Sequence, residues 1–525
     1  MSGPPAHVWT PSHNPWLIAI AVTIATFMEV LDTTIVNVAL PHIAGTMSAS
    51  PDEATWAITS YLVANGIVLT ISGWLAELLG RKRYFLICIT MFTVCSFLCG
   101  IADSLQQLII FRLAQGFFGG GLQPNQQSII LDSFPLAKRG AALGVVSIAV
   151  VIAPILGPTV GGYITDTSSW RWVFFINIPV GVIAVFANAI LVEDPPWQGQ
   201  NRRRGVDFVG LSLIALGLGC LEVMLDRGED LDWFSSPFIV TMALLAGLGI
   251  FAATLWLLTA DKPIVNLEVF RDRNFTTGCA MISALGVILY SSAVTVPQFV
   301  QVYLGYTATW SGLIMSPGGL VVVVLIPVVT RLIKVMQTRI VVAFGFCLLG
   351  AGLYYSSDLT PTIDFYTLMS QRALLSAGLA FMFVPIGALT FVTLPMRLRG
   401  DGAALFSMFR NVFGSVGIAG ATALADHRQQ IHQSYLSQSA SPYHQPYVAL
   451  THTYARALEA LGHPSASAQG AAVGRLYQMF RTQVAVLAYS DVFLALAAVA
   501  FAVVPLCLLA SPVKAGAAAP SGGKR

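Results

Sequence analysis

Apolar stretches of about 20 residues, each long enough to cross the roughly 30 Å hydrocarbon core of a bilayer as a helix, recur from Trp16 to Ala510 with short polar breaks between them. Fourteen can be read, at about 16–40, 54–76, 84–102, 106–129, 141–163, 172–192, 207–226, 237–258, 275–297, 311–332, 338–357, 365–393, 402–425 and 485–510. Backbone polar groups have no water to bond in hydrocarbon, so the pattern predicts an all-α polytopic membrane protein. Two longer polar stretches interrupt it. "EDPPWQGQNRRRGVD", Glu193 to Asp207, has the prolines and arginine run of a cytoplasmic linker. Residues at about 426–484, rich in Ser, His, Gln and Tyr, fall on the outer side. They are expected either as short helices against a partner or the membrane surface, or as a plain disordered loop.

The apolar stretches also repeat. "LIIFRLAQG" from Leu108 and "LMSQRALLSAG" from Leu368 each carry one intramembrane arginine, and Arg112 lies 27 residues before Arg139 just as Arg372 lies 27 before Arg399. The turns that follow match too, "PLAKRGAAL" from Pro135 against "PMRLRGDGAAL" from Pro395. This register divides the chain into a six-helix bundle over 1–192, a linker with two inserted helices over 193–274, a second six-helix bundle over 275–510 and a tail over 511–525. Duplicated halves related by an axis along the membrane normal suggest a transporter with its site at the midplane.

Charge orients the chain. Of 525 residues 56% are hydrophobic and 10% charged, and the 28 Lys and Arg concentrate in alternate loops. Arg81, Lys82, Arg83, Lys138, Arg139, the run at Arg202, Lys262, Arg331, Lys334 and Arg397 fall on one side, with only Arg171 and Arg227 in the short loops opposite. By the positive-inside rule both termini are cytoplasmic. The first apolar run is too long for a signal-peptide core and lacks a small-residue cleavage site, so it is expected to stay as a helix. A net charge of +3 with no basic domain offers nothing for nucleic acid to bind. The seven cysteines all lie in apolar runs and read as small buried side chains without disulfides. No GxxxxGK[ST] is present for an ATP-driven pump, and the eight histidines sit in polar segments or at a helix end, away from any intramembrane metal site. No enzyme chemistry, catalytic residue, metal or cofactor is expected.

What remains costly is charge inside the spans. "MEVLDTTIVNVALP" puts Glu29 and Asp32 three apart on one face of the first helix, about 20 and 24 Å along it from Trp16. A charge near a helix centre costs roughly 2.5 to 3.5 kcal/mol on insertion scales, so the pair must be protonated, partnered or facing an aqueous cavity. A carboxylate whose solvation alternates can take up and release a proton in turn; a purely structural pair is the alternative. Arg112 lies at comparable depth and either stabilises the deprotonated neighbour or clamps helices through backbone carbonyls. "GWLAELLGRKRYF" turns at Gly80 and offers Gly73, Glu77, Gly80, Arg81 and Lys82 as an ion-paired latch, with a purely topogenic loop as the simpler reading. "APILGPTVGGYI" places Gly157, Pro158, Gly161 and Gly162 close together in the fifth span, a candidate hinge with broken helical hydrogen bonds. Glu222, Arg372 and Arg410 are further intramembrane charges, whereas Asp226 and Asp491 are expected at hydrated helix ends.

These stretches resemble the signature set of the major facilitator superfamily, and specifically the fourteen-helix drug:proton antiporter family of the EmrB/QacA type. "LDTTIVNVALP" is similar to its first-helix motif, "GWLAELLGRKR" to the loop motif, "LIIFRLAQGFFGG" to the fourth-helix arginine motif and "GPTVGG" to the antiporter motif. "WRWVFFINIPVG", "MLDRGEDLDWFSS" and "NFTTGC" extend the likeness towards the EmrB branch. Glu77 stands where the family usually has Asp, Leu78 where Arg is frequent, and Ala153 where Gly is common. The resemblance implies multidrug efflux of lipophilic small molecules, with the proton as coupling ion, from a Gram-negative inner membrane. It further implies a periplasmic adaptor and an outer-membrane channel as partners, and Asp32 with Arg112 as the proton site, with Glu29 as a second titrating or cation-attracting group. A dedicated exporter of one endogenous metabolite or fatty acid is the alternative; a transporter-like receptor would tolerate neutralisation of Asp32.

Overall fold

The structure, a computed structural model, describes residues 11–195, 207–261, 263–440, 443–462 and 464–512. Among these no strand occurs, and twelve helices are long and apolar enough to cross a membrane. Two expected spans stand outside those twelve: the fourth, which is broken into two shorter helices, and the fifth, which is the 32-residue helix described next.

In chain order the first half holds α1 (Pro15–Thr46), α2 (Pro51–Leu79), α3 (Arg81–Gly100), α4 (Leu105–Gly119), α5 (Leu122–Ser133), α6 (Leu136–Thr167), α7 (Trp172–Phe175) and α8 (Asn177–Leu191). Local chemistry sets the starts. Asn14 caps α1 by accepting from the Trp16 amide at 3.0 Å with Pro15 following, and Ser50 with Glu53 forms a capping box on α2. Gly80, at φ +89°, ends α2 and admits the sharp entry into α3 that a side chain would strain. The fourth span is interrupted at Gly120 and Gly121, which separate α4 from α5.

The inserted pair is α9 (Phe208–Arg227) and α10 (Pro237–Thr259); most of the expected linker, residues 196–206, lies outside the described residues. The second half holds α11 (Arg273–Val302), α12 (Ala308–Val335), α13 (Thr338–Ser356), α14 (Phe365–Ala380), α15 (Phe383–Phe391), α16 (Arg399–Ser437), α17 (Gln445–Ala460) and α18 (Ser465–Leu509). The outer polar stretch is helical rather than a plain loop: α16 and α18 run past the expected membrane boundary into it, and α17 packs on α18.

Neighbour relations repeat between the halves. α1 packs on α6 as α11 does on α16; α2 on α4 as α12 on α14; α3 on α8 as α13 on α18. Between the halves α2 meets α16 and α12 meets α6, while α5 and α15 each reach the opposite half. The inserted α9 breaks this symmetry by covering only the α2–α16 side. Apolar packing follows the same plan, with buried clusters inside the first half and a larger one that joins the second half to Ile71, Trp74 and Val150. All seven cysteines are free thiols; the expectation that all are buried is corrected at Cys347, which is exposed, and Cys220, which is half-buried, on helix faces that point away from the core.

Candidate functional site

Asp32, midway along α1, is wholly buried. Arg112 Nη1 of α4 donates to its Oδ2 at 2.5 Å, Gln115 Nε2 to Oδ1 at 3.1 Å, and Asn177 Nδ2 of α8 to Oδ1 at 2.7 Å. Arg112 is fixed in turn: its Nε donates to the Ala57 carbonyl at 3.0 Å, its Nη1 to Gln115 Oε1 at 2.9 Å, and the guanidinium lies 4.2 Å over the Tyr61 ring. Geometrically, Arg112 meets both descriptions read from the sequence, carboxylate partner and clamp on a backbone carbonyl. Charge-assisted bonds of this kind are short and strong, and removal of one member from a buried pair leaves an uncompensated charge.

One turn earlier, Glu29 faces a second polar cluster. Tyr61 Oη donates to its Oε1 at 3.4 Å, Asn65 Nδ2 to the same oxygen at 3.2 Å and Gln123 Nε2 to Oε2 at 2.6 Å. Gln123 accepts at its other end from Arg410 Nη2 of α16. A continuous polar bridge therefore runs from α1 through α5 to the second half of the molecule, and Tyr61 touches both clusters by ring and hydroxyl.

The candidate hinge lies against the same stretch of α1. A Cβ at Gly157 would collide with Thr34 Oγ1 and one at Gly161 would lie 2.9 Å from the Ile35 carbonyl, so these glycines let α6 approach the turn that follows Asp32. Gly162 is buried beside them. α6 runs as one helix through residues 157–162, Pro158 included, whose missing N–H leaves one helical hydrogen bond unmade; the small residues on either side provide the close approach.

The latch region gains partners that the sequence reading did not name. Arg81 pairs with Asp132 of α5, and Arg399 Nη1 of α16 stands 3.8 Å from the same carboxylate, so the partner of the Gly80 turn bridges both halves. Glu77 lies near enough to act on Arg81 electrostatically. The Lys82 amide donates to Asp194 Oδ1 at 2.9 Å, and a Cβ at Gly73 would lie 2.9 Å from the Gly400 carbonyl, which brings α2 onto the start of α16 at the basic end. Glu222 of α9 accepts from Ser415 Oγ at 2.6 Å, and Arg372 Nη1 reaches only as far as Ser292 Oγ at 3.3 Å. Asp226 sits at the expected helix end, half-buried and bonded by Thr59 of α2, whereas Asp491 lies inside α18, paired with His432 at 2.8 Å and Arg428 at 3.5 Å.

Sequence reasoning missed Gln115, Asn177, Asn65, Gln123, Tyr61 and Asp132. All but Tyr61 are polar residues in apolar surroundings, and Gln115 follows Arg112 at the three-residue spacing that shares a helix face; that spacing was the available signal.

The family model described as "Major Facilitator Superfamily" matches residues 22–418. The multidrug export protein EmrB of Escherichia coli (strain K12) is 36% identical over 497 residues, covering 94% of this chain and 95% of the relative. EmrB of Haemophilus influenzae is 39% identical over 428 residues, 81% of this chain and 84% of that protein. The fatty acid resistance protein FarB of Neisseria gonorrhoeae is 35% identical over 499 residues, covering 94% and 96%. Among solved structures, the human organic anion transporter MFSD10 (TETRAN) superposes with a TM-score of 0.57 at 12% identity, over 93% of this chain and all of that one, a likeness of fold.

Proposed function

We infer that this chain, which belongs to the major facilitator superfamily, exports lipophilic compounds in exchange for protons by alternating access. The observation that carries the reading is the buried Asp32–Arg112 pair: an ionisable carboxylate at membrane depth whose partners come from two further helices, α4 and α8. Extensive identity with EmrB multidrug export proteins supports the same reading.

The mechanism follows from what each group does. In the conformation seen, the basic end is shut by Arg81, Asp132 and Arg399 and by the Gly73–Gly400 approach. Arg112, Gln115 and Asn177 together satisfy a charged Asp32. A proton arriving at Asp32 cancels the charge that Arg112 neutralises, so the guanidinium loses its reason to hold α4 against α1. Glu29 relays the change, since its bond to Gln123 is the near end of the bridge to Arg410. Loosening that bridge and the latch lets the halves tilt about the site. We assign the chain fourteen crossings, both termini on the cytoplasmic side of a Gram-negative inner membrane, and the proton as its coupling ion without cofactor. The helical outer segment of α16, α17 and α18 is the surface on which a periplasmic adaptor, leading to an outer-membrane channel, would sit.

The likeness to FarB favours a second reading, export of fatty acids by the same mechanism. One experiment separates them. Purified protein in liposomes with an internal pH dye is given gradients of lipophilic cations, weak acids and fatty acids, wild type beside Asp32→Asn. Substrate-dependent proton movement that falls at least about 100-fold in the variant supports antiport, and the compounds that elicit it choose between the readings. Equal substrate flux in both proteins without proton movement would mean an uncoupled facilitator instead.

A further inference from the structure

Glu222 is buried in the membrane like Asp32 and Glu29, yet it is served quite differently. Among the described residues its one hydrogen bond comes from Ser415 Oγ at 2.6 Å. The charge that acts on it is Asp226, one turn along the same helix and of the same sign. Arg227 is turned to Thr55 and Asp230, and Arg410 to Gln123 and Asn411. Among the described residues no cation stands within ion-pairing distance of Glu222.

Its position gives that isolation a use. α9 is fastened to α2 by Asp226 on Thr59, by Arg227 on Thr55 and by the Arg227 guanidinium 5.5 Å from the Trp56 ring. The two helices also run close at Gly219, where an added Cβ would lie 3.4 Å from Ile67 and 3.6 Å from Val63. Towards α16 the polar tie from α9 itself is Glu222 to Ser415, with Glu229, two residues past the helix end, beside Asp426 of α16. α2 and α16 belong to opposite halves and must part during alternating access; α9, bound more extensively to α2, stays with it. The bond that opens on the α16 side is therefore Glu222 to Ser415. Once open, the carboxylate faces the new cleft with no donor and no counter-charge, a costly state in a weakly hydrated setting. An amphiphile carrying positive charge, drawn in by its apolar part, relieves that cost.

We propose that Glu222 is a specificity-determining residue that recognises the cationic head of a lipophilic substrate in the cleft between α9 and α16. The inference rests on the export reading and adds to it a charge preference located outside the Asp32 cluster. Neutral and acidic substrates gain nothing from this group.

The test uses full-length purified protein in detergent with two probes, tetraphenylphosphonium as the cation and N-phenyl-1-naphthylamine as an uncharged lipophile. Glu222→Gln keeps the size and the Ser415 bond but not the charge. It weakens cation binding at least about tenfold and leaves the uncharged probe unchanged, and Glu222→Asp recovers part of the loss. Ser415→Ala removes the competing hydroxyl, so cation affinity rises about two- to tenfold, the worth of one ordinary hydrogen bond. Glu222→Gln weakening both probes alike, or neither, overturns the proposal, as does a Ser415→Ala variant whose cation affinity is unchanged. If Glu222→Gln does not fold, Ser415→Ala and Glu222→Asp decide the matter. The two readings fail separately: absence of proton movement in wild-type liposomes removes the antiport reading while a charge-selective binding loss stands. Proton movement with undiminished cation binding by Glu222→Gln removes the Glu222 proposal alone.

Discussion

α4 and α14 occupy equivalent places in the two halves, and each carries a buried arginine about two turns before a break in its helix. Around Arg112 there is a carboxylate at 2.5 Å, a backbone carbonyl, a glutamine and an aromatic face. Around Arg372 there is Ser292 of α11 at 3.3 Å, a guanidinium Nε without a hydrogen-bond partner, and a small cavity lined by Ser356, Gln371 and apolar side chains. The backbone plan is shared and the acid is not: on α1 Asp32 faces the arginine, while α11 offers a hydroxyl. The comparison places the buried acid–arginine pair in the first half. The second half contributes Arg410, which reaches across to Gln123 and so gives the two bundles a shared polar link.

The largest effect that would test this asymmetry is at Arg112. Arg112→Met strands the Asp32 carboxylate in a buried site, and a loss of about 3–5 kcal/mol of folding stability is expected, read as a lower unfolding midpoint in detergent. Adding Asp32→Asn should return much of that loss, because the damage lies in the unpaired charge rather than in the missing arginine. Additive losses in the double variant would mean that Arg112 matters mainly through Ala57 and Tyr61, and the pair would cease to be the centre of the site.

Next in size is Asn177→Ala, which removes the 2.7 Å bond to Asp32 and the 3.0 Å bond to Ser96 but leaves Arg112 in place. The expected cost is about 1–3 kcal/mol of folding stability, read as a lower unfolding midpoint, because the buried Asp32 loses a donor. An unchanged midpoint would take Asn177 out of the set of groups that hold Asp32. Arg372→Met is expected to fall within about 1 kcal/mol of wild type in either direction, since no carboxylate is orphaned and an apolar chain of similar length suits the site. Transport should stay within about twofold. If it cost as much as Arg112→Met, the two halves would be equivalent after all.

Much of the fold was legible because hydrocarbon leaves a chain few options: a run such as Pro237–Thr259 can only be a helix, and its hydropathy says so. The breaks after Gly119 and Ala380 were not legible, since a hydropathy window averages over a tight turn. Nor was the outer segment settled, because α17 is amphipathic enough to be helical and polar enough to look like a loop. In the site, Asp32, Arg112 and Glu29 stood out as charges that a membrane penalises. Their amide partners did not, because Gln115, Asn177 and Gln123 carry no charge and take their meaning from helices far away in sequence. Asp132 was hidden for the same reason: its partners Arg81 and Arg399 come from different halves, and only the meeting of α5 with α16 places them together.

The smallest effect separates geometry from environment. Arg397 Nη2 meets Glu268 Oε1 at 2.7 Å, almost the Asp32–Arg112 distance, but in a loop at the basic end where the arginine is 63% exposed. The hydrogen bond from Arg397 holds the Glu268 carboxyl below its usual range. A depressed carboxylate stabilises the fold above its unfolded value of about 4.3 and loses that contribution as pH falls further. Arg397→Ala should thus leave the unfolding midpoint at pH 7 and moderate salt within error, any shift at low salt fading on acidification below about pH 4. A midpoint drop comparable to that of Arg112→Met would mean that distance alone sets the worth of an ion pair here. The expected contrast instead assigns the difference to water, which screens the loop pair and is excluded from the one between α1 and α4.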